Sequence, residues 1–116
     1  WQRNTGPALL PLSNVEPLVI RPDVGWLDAR IHHRFHQMIA KGALDEARAE
    51  ARCFDPGLPS AKAIGAAELM RHLEGLLSLD QAVNAAILAS RKYAKRQRTW
   101  FRSRMRGWKE LAFSAN

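Results

Sequence analysis

The amino-acid sequence predicts a mainly α-helical chain with one short β-strand and three or four helices. Two observations predict this class. Apolar residues recur at steps of three and four over much of residues 23–106, which is the period of helices that bury one face. Only residues 15–20 form a short apolar run with β-branched side chains, and Pro17 and Pro22 confine that strand to a sheet edge. A lone strand cannot form a sheet, so we expect it to need partners from elsewhere.

The first three helices follow a linker. Residues 1–14 mix polar residues with Gly and Pro and show no period, which is typical of a linker. Asp23 stands where it can cap a first helix. The apolar stripe of that helix consists of Leu27, Ile31, Phe35 and Met38. A second helix is predicted over residues 44–53, and a third element over residues 60–74 is interrupted at Gly65.

The last helix has the clearest beginning. Ser78 and Gln81 match a capping box, in which the Ser hydroxyl accepts from a first-turn amide and the Gln side chain reaches back to the cap. The helical period then continues without a break as far as Gly107. We therefore expect a helix of more than about 25 residues, or close to ~40 Å. Its first half is small and apolar, and its second half is basic.

The positive charge of the chain is concentrated in that second half. The formal net charge is +7, yet residues 1–90 hold nine Lys or Arg against ten Asp or Glu, whereas residues 91–109 hold nine Lys or Arg and no acid. So local a block of charge indicates a polyanionic partner. The cations at i, i+4, i+7 and i+11, which share one helix face, are Arg91, Lys95, Arg98 and Arg102. Binding of a phosphate backbone would relieve their mutual repulsion and release counterions.

The basic block also contains groups that suit RNA bases. Gln97 and Thr99 add neutral hydrogen-bonding groups, and Trp100 and Phe101 offer flat rings on which an unstacked base can lie. Phe101 also continues the apolar stripe, so a core position is its competing interpretation. A helical DNA-binding domain is the alternative function, because residues 100–106 are similar to a homeodomain recognition helix. Ser103 argues against it, since that family has an adenine-binding Asn there.

No catalytic residue can be assigned from the sequence, which contains neither a GxxxxGK[ST] phosphate loop nor a defensible Ser/His/Asp or paired-carboxylate pattern. His32, His33 and His36 lack a third kind of ligand nearby, so we expect surface histidines and no metal site. The single Cys53 excludes an internal disulfide and fits a reducing compartment. No apolar run is long enough to span a membrane, so we expect a cytoplasmic protein without a membrane partner.

Three motifs keep an order and spacing that resemble one known family. The string Ala-Lys-Arg-Gln-x-Thr-Trp-Phe-Arg at residues 94–102 is the most specific. The Lys-Ala-Ile-Gly element at 62–65 and the Arg-Ile-x-x-Arg-Phe pattern at 30–35 support it. Together they resemble the carboxy-terminal signature of the tRNA dimethylallyltransferases, also called tRNA isopentenyltransferases, over residues 15–105.

The resemblance implies a fold and a reaction. Members of this family transfer a dimethylallyl group from its pyrophosphate to N6 of the adenosine 3′ of the tRNA anticodon, on a fold similar to P-loop kinases with a helical insertion. Residues 1–14 would then be a linker or the tail of that insertion, residues 15–106 would complete the P-loop-like α/β core, and residues 107–116 would form a tail. The family's phosphate loop and general-base Asp have no counterpart here. We therefore expect a carboxy-terminal portion that is inactive alone.

The resemblance also implies where tRNA and substrate phosphates bind. The residues that match tRNA-contacting stretches of the family are Lys62, Ala63, Ile64, Gly65, Ala66 and Ala67, together with Lys95, Arg96, Gln97, Arg98, Thr99, Trp100, Phe101 and Arg102. Family members commonly have Tyr followed by Lys or Arg where this chain has Ala66 and Ala67, which leaves backbone contacts around Gly65. Arg30, Arg34 and Arg91 would reach a phosphate; for the first two, an ion pair within the helix competes.

The implied partners are the tRNA anticodon stem-loop and the amino-terminal half of the same enzyme. Mg²⁺ and dimethylallyl pyrophosphate are implied for the whole enzyme, and no cofactor is expected on these residues by themselves. A sheet that lacks its other strands would leave apolar surface exposed, so we also expect self-association of the isolated chain.

Overall fold

The computed structural model describes residues 6–113, and within them the chain is mainly helical, as predicted. The α-helices are α1 (Val24–Ala40), α2 (Ala43–Glu50), α3 (Ala66–Leu73) and α4 (Leu79–Arg104), and the strands are β1 (Leu18–Pro22) and β2 (Lys109–Phe113). Single 3₁₀ turns occupy Leu12–Asn14, Ala51–Cys53 and Pro59–Lys62. No helix among the described residues combines the length and apolar character needed to cross a membrane.

Helix α1 begins at its predicted cap and buries its predicted stripe. The Asp23 carboxylate accepts a hydrogen bond from the Trp26 amide at 2.8 Å, which satisfies one of the free donors of the first turn. Phe35 is buried in a core cluster with residues of α4, and Ile31 and Met38 pack against it. The i, i+4, i+7 spacing thus places one face of α1 against α4.

Helix α4 runs for 26 residues, or about 39 Å, and begins with the predicted capping box. The Gln81 amide donates to Ser78 Oγ at 3.1 Å, and the Ser78 amide donates to Gln81 Oε1 at 2.8 Å. Its buried side chains are Ala82, Val83, Ala86, Ile87 and Ala94. Four of these five lie in the first half, so the amino-terminal half anchors the helix to the core.

Between α2 and α4 the chain turns sharply at Gly65. This glycine has φ +104°, and a Cβ built on it would lie 3.2 Å from Phe35 Cε1. Only glycine meets both demands without strain. The Gly65 amide donates to Glu68 Oε2 at 2.9 Å, which caps α3. The predicted element over 60–74 is therefore a 3₁₀ turn, a left-handed glycine and helix α3.

The sheet differs from the prediction of one strand. Strand β1 begins three residues later and ends two residues later than expected, and it pairs in parallel with β2, from Leu18 opposite Lys109 to Pro22 opposite Phe113. Strand β2 lies within residues 107–116, the segment assigned as a tail, and it was not among the predicted elements; residues 1–5 and 114–116 lie outside the described residues. Its sequence Lys-Glu-Leu-Ala-Phe lacks a strong strand pattern, and its pairing partner lies 91 positions earlier.

The two-stranded sheet leaves apolar side chains exposed. Its exposed large apolar residues are Leu18, Ile20, Leu111 and Phe113, and Ile20 keeps 62% of its surface. Val19, in contrast, is buried on the opposite face. The exposed face is the kind of surface that further strands or helices cover in a complete α/β domain.

Candidate nucleic-acid interface

The carboxy-terminal half of α4 projects most of its cations into solvent. Ala94 is buried and marks the side that faces the protein. Within residues 92–106, the cations that are exposed and form no ion pair with any residue of 6–113 are Lys92, Lys95, Arg96, Arg102, Arg104 and Arg106. Because no acid neutralises them, they form a positive surface, which we call the α4 basic surface.

Two members of the predicted four-cation face are engaged differently. Arg91 Nε lies 3.4 Å from Asp28 Oδ2 of α1, so this cation ties the two helices together. Arg98 follows Ala94 by one turn and is half-buried, and its Nη1 atom is enclosed without a hydrogen-bond partner among the described residues. Lys95 and Arg102 remain exposed. Arg91 and Arg98 therefore contact the protein, whereas Lys95 and Arg102 extend into solvent.

The aromatic residues of α4 point in different directions. Trp100 keeps 52% of its surface exposed, whereas Phe101 is half-buried and meets the Trp100 ring edge-on at 5.6 Å between centroids and 69°. Phe101 thus supports Trp100 from the protein side, which favours its core interpretation. Tyr93, seven residues before Trp100 and 49% exposed, shares its face and stacks under the Arg96 guanidinium at 5.6 Å.

Tyr93 was not among the predicted site residues, although its i, i+7 spacing to Trp100 is a signal that identifies it. Arg106 was not among them either, and it lines a shallow depression on the α4 basic surface with Thr99, Arg102 and Ser103. The Thr99 hydroxyl donates to the Lys95 carbonyl at 3.1 Å, and the Ser103 hydroxyl donates to the Trp100 carbonyl at 3.0 Å. The two arginines are therefore the donors left for an anion there.

Residues 62–67 lie near the amino-terminal half of α4. Lys62 and Ala63 are exposed, Ile64 packs against the core cluster that contains Val83 and Ile87, and Gly65 contacts Phe35. This segment lines an apolar cleft of about 420 Å³ between α1, α2, α3 and α4. Ile87 and Lys95 are separated by eight helical residues, or about 12 Å. Residues 62–67 therefore lie beside the first half of α4, whereas residues 95–102 belong to its second half.

The other predicted phosphate-binding residues lie on α1. Arg30 places its guanidinium over the Trp26 ring at 5.2 Å, and Trp26 in turn meets Phe113 of β2 edge-on at 5.1 Å. Arg34 is exposed. Neither arginine forms an ion pair within residues 6–113, so the intrahelical pairs considered above do not form. Among residues 6–113, no group of three or more His, Cys, Asp or Glu side chains is placed to hold a metal ion.

A long, anchored helix that presents unpaired cations beside an exposed tryptophan is an arrangement typical of nucleic-acid-binding modules. Comparison with known protein families makes this specific: the family described as IPP transferase matches residues 1–104. The chain therefore belongs to the IPP transferase family.

Individual relatives agree with this assignment. The chain is 62% identical over 111 residues to a tRNA dimethylallyltransferase of Cereibacter sphaeroides, covering 96% of this chain and 35% of that protein. It is 54% identical over 112 residues to one of a Ruegeria species, covering 97% of this chain and 39% of the relative. The chain thus spans little more than a third of the length of these curated relatives.

Solved structures support the same fold. The full-length tRNA isopentenylpyrophosphate transferase of Bacillus halodurans superimposes with a TM-score of 0.75 at 31% identity, over 83% of this chain and 31% of that one. The Staphylococcus epidermidis tRNA Δ(2)-isopentenylpyrophosphate transferase gives 0.73 at 31% identity, over 84% of this chain and 32% of that one.

Proposed function

We propose that this chain is the carboxy-terminal, tRNA-binding portion of an enzyme that transfers a dimethylallyl group from dimethylallyl pyrophosphate to N6 of the adenosine 3′ of the tRNA anticodon. The observation that carries the proposal is the α4 basic surface, three of whose unpaired cations, Lys95, Arg96 and Arg102, lie within the family-specific string at residues 94–102. Family membership and the names of the relatives supply the reaction.

Within that reaction, the described residues bind and orient the RNA. Lys95, Arg96 and Arg102 contact phosphates of the anticodon stem-loop, and Trp100 provides a ring against which an unstacked base lies. The backbone around Gly65, which precedes α3, provides a second contact, with Lys62 beside it. Contacts from two separate segments fix the orientation of the RNA as well as its affinity.

Substrate phosphates are proposed to meet Arg30, Arg34 and Arg91. Arg91 has to exchange its contact with Asp28 for a phosphate oxygen, or else contact both at once through separate guanidinium nitrogens. Arg30 is held over Trp26, which restricts its rotamers while leaving its donors accessible. When bound, Mg²⁺ neutralises pyrophosphate charge; its ligands, the phosphate loop and the general base are proposed to lie in the rest of the enzyme.

The amino-terminal half of the enzyme is the second proposed partner. Residues 15–106 would complete its P-loop-like core, and residues 1–14 would link to, or end, the helical insertion. Its strands would cover the exposed apolar face formed by Leu18, Ile20, Leu111 and Phe113. In isolation that face favours self-association. Because tRNA is processed in the cytoplasm, the proposal includes a cytoplasmic location.

Prenyl transfer by the full polypeptide that contains this chain tests the proposal. Radiolabelled dimethylallyl pyrophosphate should label a tRNA with adenosine 3′ of the anticodon and leave a tRNA with guanosine there unlabelled. Residues 1–116 alone should bind the anticodon stem-loop and label neither RNA. Tighter binding to duplex DNA than to the stem-loop would instead support the DNA-binding alternative and contradict this proposal.

A further inference from the structure

Two histidines of α1 form a close pair that the proposed function does not use. His32 and His36 are one helical turn apart, and their Nε2 atoms lie 3.3 Å from each other. Their ring centroids are 4.4 Å apart at an interplanar angle of 46°. Both side chains are exposed, and both stand in the interior of a 17-residue helix, so the backbone fixes their relative position.

The distance between the two Nε2 atoms suits a shared metal ion. Zn–N bonds to imidazole are about 2.0–2.1 Å, so two nitrogens 3.3 Å apart subtend an angle of about 105° at the metal, close to the tetrahedral value. The two facing nitrogens can share a hydrogen bond or bind a dication.

Both rings of the pair are exposed to solvent. Asp28 lies one turn before His32, and its carboxylate neutralises Arg91, the cation that α4 contributes there. His33 is the next residue along and lies about 100° around the helix from His32. Within residues 6–113 no third His, Cys, Asp or Glu completes the set, so two positions of a tetrahedral ion stay open for water or an external donor.

We propose that His32 and His36 bind one transition-metal dication of the class that includes Zn²⁺ and Ni²⁺ through their Nε2 atoms. This two-ligand site lies outside the proposed tRNA-binding surface and does not depend on the proposed function. Imidazole nitrogens favour Zn²⁺, Ni²⁺ and Cu²⁺, whereas Mg²⁺ prefers oxygen ligands. The site therefore discriminates against the ion that the prenyl transfer requires. The expectation of isolated surface histidines assumed that a site needs a third protein ligand.

Isothermal titration of the full polypeptide, stripped of metal, with ZnCl₂, NiCl₂ and MgCl₂ in turn tests the site. His36→Gln should lose one equivalent of Zn²⁺ and Ni²⁺, or weaken it by at least about tenfold, because it removes one of the two ligands. His33→Gln is the matched control and should retain that equivalent. No equivalent assigned to the pair should appear with MgCl₂.

Equal Zn²⁺ isotherms for the wild type and His36→Gln would overturn the proposal and leave a hydrogen-bonded histidine pair. An equal loss in His33→Gln would overturn it as well. Because the replaced side chains are exposed, circular dichroism should show unchanged helix content in both variants. Prenyl transfer measured with Mg²⁺ alone should be the same in His36→Gln and wild type, so failure of this site and failure of the proposed function give different results.

Discussion

Replacing Lys95 and Arg102 together by Ala tests the α4 basic surface most directly. The two cations are seven residues apart, about 10.5 Å along the helix axis, and both are exposed without an acidic partner among residues 6–113. Each neutralised phosphate contributes about 0.7 to 0.9 to the negative slope of log K against log salt. Loss of both contacts should therefore reduce the magnitude of that slope by roughly 1.4 to 1.8.

The same relation gives the loss of affinity. At 0.15 M salt, two contacts of average slope about 0.8 are worth about 20-fold in Kd, or ~2 kcal/mol. Fluorescence anisotropy of a labelled anticodon stem-loop, titrated with the full polypeptide at several KCl concentrations between 50 and 300 mM, measures both quantities. Stability should change by less than about 0.5 kcal/mol for each substitution, because both side chains are on the surface.

A matched control separates a local contact from a general effect of net charge. Arg48→Ala with Arg52→Ala removes the same two charges from exposed positions in α2 and the turn after it. This control should leave the slope unchanged. If the two double variants altered the slope equally, the RNA would respond to the net charge of the protein and the assigned contacts would be wrong. An unchanged slope in the Lys95 and Arg102 variant would refute the surface altogether.

Five further substitutions, at four positions, test the packing around the site. Trp100→Ala should weaken stem-loop binding by about 1–3 kcal/mol with little change in Tm, whereas Phe101→Ala should mainly lower Tm; the reverse pattern would contradict the outward and inward orientations of the two rings. Gly65→Ala should lower the free energy of unfolding by about 1–3 kcal/mol in chemical denaturation, because of its positive φ and the close Phe35 ring; an unchanged midpoint would show that the turn relaxes. Ser78→Ala should cost about 1 kcal/mol through loss of the α4 cap, and a Ser78→Asp variant should retain most of that stability.

The helices could be predicted because their signals are local. The capping box at Ser78 and the unbroken period after it lie within one stretch of chain, and so does the Asp23 cap of α1. Strand β2 could not be predicted in the same way, because it pairs with β1, and all four helices lie between the two strands in the sequence. Its five residues have no buried face of their own to produce an alternating pattern.

The candidate site was predictable in composition but not in accessibility. A count of charges along the sequence finds every cation of α4, yet it cannot show that Asp28 of another helix neutralises Arg91. Helical spacing places Arg98 among the basic residues, and only the packing shows that its guanidinium is partly enclosed. The same spacing could have identified Tyr93, because Trp100 lies two turns further on the same face.

The division of α4 explains how a strongly basic helix can remain rigid before RNA binds. Like charges on one face weaken an isolated helix, but here the capping box and four small or apolar side chains bury its first half against α1. The Arg91–Asp28 contact then fixes the helix where the basic half begins. Beyond it, Lys95 and Arg102 extend from a backbone that is already ordered. The proposed RNA binding would therefore order only side chains, because the protein core has already set the spacing of the cations.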